Sequence, residues 1–318
     1  IGGLAIAFIS PVLGQRTDAG GKRKLWLGIN TAVVIFATTA MFFVQGYPQY
    51  FVLGIVLLTI GNVFYEMANV NYNAMLLQVS TPKNMGRISG FGWGMGYIGG
   101  IVVLLIALVG FVLGDPPYWF GVTTEAGMNI RVVAVFAAIW SLIFSIPILL
   151  FVPENQATGG GKKLSILDSY KAVFAKIKDL YKNARPTFYF LLASAVFRDG
   201  LAAVFAFGGI LAGTVFGLSF TEVILFAIGG NLVAGIGVFL SGWLDDKIGS
   251  KRVIVIALAG LVITGIALFF FHDGGANAFW IGGLMLTFFV GPAQASARAY
   301  LGHLAPEGQE GEIFGLYA

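Results

Sequence analysis

The sequence predicts an all-α membrane protein built from two similar halves, and three observations lead there. The chain of 318 residues is 58% hydrophobic and 11% charged, with a mean hydropathy of +0.86. A soluble domain carries about 25% charged residues. Apolar runs near the ~20 residues that cross a bilayer occur eight times. One loop-like sequence also occurs twice at a long offset, and such doubling is how many membrane carriers are built.

The first copy of that sequence runs Gly14-Gln15-Arg16-Thr17-Asp18-Ala19-Gly20-Gly21-Lys22-Arg23-Lys24 and the second Gly242-Trp243-Leu244-Asp245-Asp246-Lys247-Ile248-Gly249-Ser250-Lys251-Arg252. Each reads Gly, three residues, Asp, a further Gly and a basic cluster, after an apolar stretch. A second pair repeats at nearly the same offset. Pro82 matches Pro306, and Gly86-Arg87-Ile88-Ser89-Gly90 matches Gly311-Glu312-Ile313-Phe314-Gly315.

The expected spans are Leu25–Val44, Tyr50–Leu77, Ile88–Leu113, Arg131–Phe151, Thr187–Phe216, Glu222–Trp243, Val253–Phe271 and Ala278–Leu301. Ile1–Leu13 and Gly311–Ala318 read as partial spans, so the chain reads as a fragment with eight complete spans and two partial ones. Of the 19 Lys and Arg, 16 fall in Gln15–Lys24, Thr81–Arg87, Pro153–Pro186 and Asp245–Arg252. The opposite loops hold only Arg131. The positive-inside rule places the 16 on the cytoplasmic side, which also explains the net charge of +4 without a nucleic-acid partner. Cysteine is absent, so disulfides and thiolate chemistry are excluded. His272 and His303 lie far apart, which argues against a metal site, and no cofactor is expected.

Pro153–Pro186 is the one long polar connector. Its start, Thr158-Gly159-Gly160-Gly161-Lys162-Lys163, reads as a flexible linker. Its second part sets Leu167, Tyr170, Phe174, Ile177 and Tyr181 at helical spacing among Lys171, Lys176, Lys178, Asp179 and Lys182. That pattern fits a helix lying on the anionic leaflet or one packed under the protein. Gly90/Gly94, Gly92/Gly96 and Gly96/Gly100 are small-xxx-small pairs, and Gly229, Gly230, Ala234, Gly237 and Gly242 form a second small-residue series. They permit close helix approach, either as static packing or as a surface on which two halves rock.

The duplicated sequence resembles the signature between the second and third helices of major facilitator superfamily transporters, and its echo between the eighth and ninth. Asn71-Tyr72-Asn73-Ala74-Met75-Leu76 and the run Gly86 to Gly100 resemble that superfamily's vacuole-effluxer-like branch. So do Gln294-Ala295-Ser296-Ala297-Arg298 and Glu312-Ile313-Phe314-Gly315-Leu316-Tyr317. Arg131, Trp140, Phe144, Pro147 and Pro153-Glu154 match its sixth helix. The resemblance implies two six-helix bundles with alternating access. Residues 1–152 would be an N-terminal bundle holding helices two to six, 153–186 a cytoplasmic linker, and 187–318 a C-terminal bundle holding helices seven to eleven. It also implies a multi-pass protein of a bacterial cell membrane, or of the vacuole in a eukaryote. Eukaryotic members are linked to amino-acid export.

A charge near the bilayer centre costs at least about 2.5–3.5 kcal/mol, so intramembrane polar groups need partners or water. Asn62, Glu66, Asn69 and Asn73 stand at i, i+4, i+7 and i+11, on one helix face. They would line a cavity or form a polar seam between helices. Glu66 lies about 24 Å from the outer end of its span. Arg198 and Asp199 lie about 18 Å into theirs and diverge by about 100°. One of them therefore faces a cavity or a partner on another helix, or both serve an ion pair that fixes packing. The resemblance aligns Asp199 with an acidic residue of the seventh helix.

Arg298 lies near the cytoplasmic end of its span. It reads as a carboxylate clamp or, as in related facilitators, a gate residue paired with Asp246. Its counterpart in the first half is Asn73, so the two gates are not expected to be equivalent. Asp18 and Asp246 read as sitting against the positive N-termini of helices beginning near Gly311 and Thr81-Pro82, or their loops only fix topology through charge. Each contact is worth about 0.3–1 kcal/mol, up to about 2 when partly buried. Arg87, in the repeated Gly-Arg-Ile-Ser-Gly segment, joins them as a gating residue.

The function expected is secondary transport of a small polar solute, an amino acid or similar metabolite. A zwitterion needs a cation and acceptors, which Arg198, Glu66, Asp199 and the asparagines supply. Glu66 or Asp199 would carry a coupled proton, since burial raises a carboxyl pKa. The rival reading is a non-transporting receptor or interaction protein on the same scaffold. An enzyme is not expected, because no nucleophile–base set, phosphate loop or HExxH appears.

Overall fold

The computed structural model describes residues 2–154, 166–306 and 308–318. Twelve α-helices are found among them: α1 (Gly2–Gly20), α2 (Arg23–Ala40), α3 (Phe51–Ala74), α4 (Leu76–Val79), α5 (Met85–Phe111), α6 (Met128–Phe151), α7 (Ile166–Asn183), α8 (Arg185–Thr214), α9 (Phe220–Ile248), α10 (Ser250–Phe270), α11 (Gly275–Leu304) and α12 (Glu310–Tyr317). Among the described residues, eight helical segments are long and apolar enough to cross a membrane. They coincide with the eight expected spans to within a few residues, except that the fourth and the eighth each begin some six residues earlier, at Glu125 and His272. The linker expected at Thr158–Lys163 lies outside the described residues.

Several local expectations are corrected. The duplicated sequence is largely helix rather than loop, because α1 continues to Gly20 and α9 to Ile248. The reversal comes only at Gly21 and Gly249, with φ of 58° and 88°. Glycine enters that left-handed region without a Cβ clash, so it ends both helices. The Gly-x-x-x-Asp spacing thus sets Gly14 with Asp18, and Gly242 with Asp246, on one face of a continuous helix. Thr81-Pro82 does not begin a helix. The Thr81 hydroxyl and N–H donate to Asn84 Oδ1 at 3.0 and 2.7 Å, closing a turn, and α5 starts at Met85. The span expected over Tyr50–Leu77 is found as one segment, Pro48–Val79, with a single-residue interruption of the helix at Met75 between α3 and α4. At α9 a capping box sets the start, with Glu222 N–H donating to Ser219 Oγ and Ser219 N–H to Glu222 Oε2.

The chain divides into two compact units. The first comprises Ile1–Val79, Ile106–Phe188 and Ala305–Ala318; the second comprises Ser80–Leu105 and Tyr189–Leu304. Each unit therefore contains one helical segment from the opposite half of the sequence. In the first, α1 packs on α3, α7 and α12, and α2 on α3 and α6. Leu13, Val63 and Met67 form one core cluster, and Leu27, Ala68 and Met75 another.

In the second unit α9, α10 and α11 pack together. A cluster of Ala212, Phe216, Leu218 and Phe279 closes one part of it, and Leu201, Ala257, Val290 and Ala293 fill another. The α9–α11 approach depends on a residue without a side chain. A Cβ at Gly237 would stand 2.3 Å from the Phe288 carbonyl oxygen. Gly237→Ala is thus expected to lower stability by about 1–3 kcal/mol, read as a fall in Tm. Gly265→Ala in α10, where a Cβ meets nothing within 4 Å, is expected to be neutral or stabilising.

Candidate functional site

Two helix crossings carry the duplicated sequence. In the first unit, α1 meets α12 with glycine on both sides. A Cβ at Gly14 would lie 1.9 Å from Gly311 O, one at Gly311 2.5 Å from Asp18 Oδ1, and one at Gly315 2.5 Å from Ser10 O. In the second unit, α9 meets α5 in the same way. A Cβ at Gly86 would lie 2.5 Å from Asp245 Cβ, one at Gly242 3.0 Å from Gly86 O, and one at Gly90 2.9 Å from Val238 O. Ser10, Gly14 and Asp18 correspond to Val238, Gly242 and Asp246 at the 228-residue offset. Backbone therefore lies on backbone at both places, and the register is shared.

Each crossing ends on its aspartate. Gly311 N–H donates to Asp18 Oδ1 at 3.0 Å and Glu312 N–H to Asp18 Oδ2 at 2.8 Å, at the N-terminus of α12. Gly86 N–H donates to Asp246 Oδ1 at 3.1 Å, in the first turn of α5. Helix N-termini present unpaired amides and a partial positive charge, so a carboxylate suits both positions. The two differ in their surroundings. Arg23 Nε donates to Asp18 at 3.0 Å, and Arg23 Nη2 lies 2.6 Å from Glu310 Oε2, in a triad whose side chains are 1–9% exposed. Arg87 Nε reaches Asp246 Oδ2 at 2.7 Å, but the arginine side chain is 62% exposed. Burial pushes the Asp18 carboxyl above the ordinary carboxylate range, and Arg23 with the two amides holds it part of the way back.

The ion pair found at Asp246 is with Arg87, a correction to the expected pair with Arg298. Arg298 is buried and donates from Nε to Ser89 Oγ at 2.9 Å and from Nη2 to Ser89 O at 2.7 Å. Ser89 Oγ in turn donates to Ala295 O at 2.8 Å, and Ser296 Oγ to Asp245 Oδ1 at 2.8 Å. Arg298 thus ties α11 to α5 while Ser296 ties it to α9. The reason is register: Ala295 O accepts from Ser89 on α5 and Ser296 donates to Asp245 on α9, and Arg298, three residues on from Ala295, then lies beside Ser89.

The intramembrane candidates fall in separate units. Asn62, Glu66, Asn69 and Asn73 belong to the first; Asn62 is exposed and the other three are half-buried. Their row borders the packed row Val63, Met67, Val70 and Ala74, one residue further round α3. Arg198 and Asp199 belong to the second, with Arg198 half-buried and Asp199 exposed. Asn71, fully buried and donating to Met67 O at 3.0 Å, lies off the polar row.

The second unit also contains a cavity of about 330 Å³ among α5, α8, α9, α10 and α11. Its lining is apolar except for Tyr97, Asn231 and Thr287, which sequence reasoning did not single out. Arg23, Glu310 and Ser89 were missed as well. Arg23 was visible only as part of a basic cluster. Glu310 precedes the repeated Gly311 but lies outside the repeat, and no spacing marks it.

The model of the family described as vacuole effluxer Atg22 like matches residues 77–318. The uncharacterized MFS-type transporter YxiO of Bacillus subtilis is 24% identical over 312 residues, covering 98% of this chain and 71% of that protein. Autophagy-related protein 22 of Yarrowia lipolytica is 22% identical over 291 residues, covering 82% of this chain and 48% of that protein. The chain thus spans about half the length of this fungal relative. Among solved structures, the proton:xylose symporter XylE bound to 6-bromo-6-deoxy-D-glucose superposes with a TM-score of 0.74 at 15% identity, over 99% of this chain and 74% of that one. A bacterial homologue of the iron transporter ferroportin does so with a TM-score of 0.63 at 15% identity, over 99% and 76%.

Proposed function

We infer cargo and coupling from one premise: the chain belongs to the vacuole effluxer Atg22-like family and is a multi-pass secondary transporter of the major facilitator type. The cargo proposed is a small polar solute, an amino acid or similar metabolite, moved by alternating access. Support comes above all from the paired crossings. Two glycine-on-glycine contacts, each joining the two halves of the sequence and each ending on a carboxylate at a helix N-terminus, suit elements that part and re-form. Helix-end contacts of about 0.3–2 kcal/mol bias such an equilibrium without freezing it.

Within this reading the proposed N- and C-terminal bundles, residues 1–152 and 187–318, move against each other, with 153–186 as their connector. Asp18, Asp246 and Arg87 hold the crossings. The contacts of Arg298 with Ser89 favour a latch over a substrate clamp. Arg198 would anchor a substrate carboxylate, the asparagine row would accept from an ammonium group, and Glu66 or Asp199 would carry the proton.

The test is uptake of labelled amino acids by the reconstituted full-length protein across a pH series. Glu66→Gln and Asp199→Asn are expected to abolish or flatten the pH dependence, one or both. Unchanged uptake and pH profile in both variants would remove the two carboxylates from coupling. Binding without counterflow in the wild type would remove transport itself.

A further inference from the structure

Helix α7 is amphipathic in a way its own packing does not use up. Its packed face carries Ser169, Val173 and Leu180, all buried, and α7 rests on α1. Tyr170 Oη donates to Phe8 O at 3.1 Å, and Lys176 Nζ to Gln309 Oε1. These contacts fix which side of the helix faces the protein.

A second apolar row, Leu167, Phe174 and Tyr181, stands at i, i+7 and i+14 and remains 66%, 69% and 49% exposed. Lys171, Lys178 and Lys182 follow it on the helical wheel, within about 60° of Leu167 at ~100° per residue, and all three are exposed. Asp168 and Asp179 lie further round. An apolar row bordered by a lysine row is the pattern of a helix lying in a bilayer interface, with rings among the upper acyl chains and ammonium groups at the headgroups.

Position supports the same partner. α7 is not apolar enough to be among the candidate spans, yet it ends at Asn183, two residues before Arg185 opens the membrane-spanning α8. The Tyr181 ring packs edge-on against Phe188 of α8 at 5.3 Å between centroids. One end of the helix is therefore held at the membrane surface by the chain itself. Exposed rings there would otherwise meet water.

We propose that α7 docks on anionic phospholipid of the cytoplasmic leaflet, inserting Leu167, Phe174 and Tyr181 and setting Lys171, Lys178 and Lys182 against the headgroups. Helix α7 is then held between lipid on one side and α1, the helix that carries Asp18, on the other.

These 318 residues hold no cysteine; in the full-length protein, with any cysteine outside them replaced by serine, single nitroxide labels are placed by Phe174→Cys, Tyr181→Cys and, as the polar-face reference, Asp179→Cys. The proteins are reconstituted into phosphatidylcholine vesicles with or without phosphatidylglycerol. Labels at 174 and 181 are expected to collide with oxygen more than with a water-soluble nickel chelate, and the label at 179 to show the reverse. Lys171→Gln, Lys178→Gln and Lys182→Gln together are expected to erase the preference for phosphatidylglycerol vesicles. Labels at 174 and 181 as open to the chelate as that at 179 would overturn the proposal. So would labels shielded from both reagents, which would mean that protein, a second copy included, covers the row. An oxygen preference that ignores both phosphatidylglycerol and the lysines would refute the anionic-headgroup contact.

Discussion

Gly14→Ala is expected to prevent the α1–α12 crossing from closing. The added methyl carbon would stand 1.9 Å from the Gly311 carbonyl oxygen, 2.6 Å from its carbon and 3.1 Å from the Glu312 nitrogen. All three are backbone atoms, so no rotamer change relieves the overlap and the helices must move apart. The shift would carry Gly311 and Glu312 N–H away from Asp18, whose bonds to them are 3.0 and 2.8 Å. Overpacking costs about 1–3 kcal/mol, and the lost helix-end contact adds up to about 2. Each 1.4 kcal/mol is about tenfold in a population, so the closed crossing is expected to fall by roughly one to three orders of magnitude. Thr17, fully buried with its hydroxyl donating to Gly14 O, is the reporter. A Thr17→Cys label that reacts slowly in the parent is expected to react fast in the Gly14→Ala background. Gly311→Ala is expected to do the same.

Asp18→Asn is expected to be far more damaging than Asp246→Asn, although the two aspartates occupy equivalent places in the repeat. A neutral amide in place of the Asp18 carboxylate would leave Arg23, 1% exposed and paired also with Glu310, with half its counter-charge. Removing one partner from a buried pair costs about 3–5 kcal/mol. Asp246 faces an arginine that is 62% exposed, where water replaces the lost charge and an ion pair is worth about 0–1 kcal/mol. Losing the contact with Gly86 N–H adds about 0.3–1 kcal/mol, and Arg298 with Ser89 still ties α5 to α11. Labelling of Thr17→Cys and Ser241→Cys, buried beside the respective crossings, measures both. Equal sensitivity at the two sites would contradict the burial argument.

The spans and the doubling were legible because each rests on many residues. Eight apolar stretches and 16 clustered basic side chains survive local ambiguity, and a repeat of Gly, Asp and Gly at one offset is unmistakable. What each repeat contacts was also largely legible, since a carboxylate seeks a helix N-terminus and Gly311 and Gly86 were paired by nearly the same offset.

The secondary structure of the repeat was not. Gly14, Gly20, Gly21 and Asp18 suggest a loop by composition, but burial against α12 outweighs propensity, and only Gly21 leaves the helix. The identity of the arginines was equally hidden. Arg23, Arg87 and Arg298 are alike in sequence, and only the register of α5 against α9 and α11 decides that Arg87 meets Asp246 while Arg298 meets Ser89. The apolar face of α7 raised the same difficulty. Leu167, Tyr170, Phe174, Ile177 and Tyr181 form one row on paper, yet α1 takes the side marked by Val173 and Leu180 and leaves Leu167, Phe174 and Tyr181 outside.

Transport by alternating access requires the α1–α12 crossing to open and close. Spin labels introduced by Ala19→Cys and Gln309→Cys, both exposed positions flanking it, give the distance across it by double electron–electron resonance in liposomes. Alternating access predicts a short and a long distance in the parent protein, populations that shift with transported substrate, and a dominant long distance with Asp18→Asn. One short distance, unmoved by substrate and by Asp18→Asn, would show a static joint and rule out gating at this crossing.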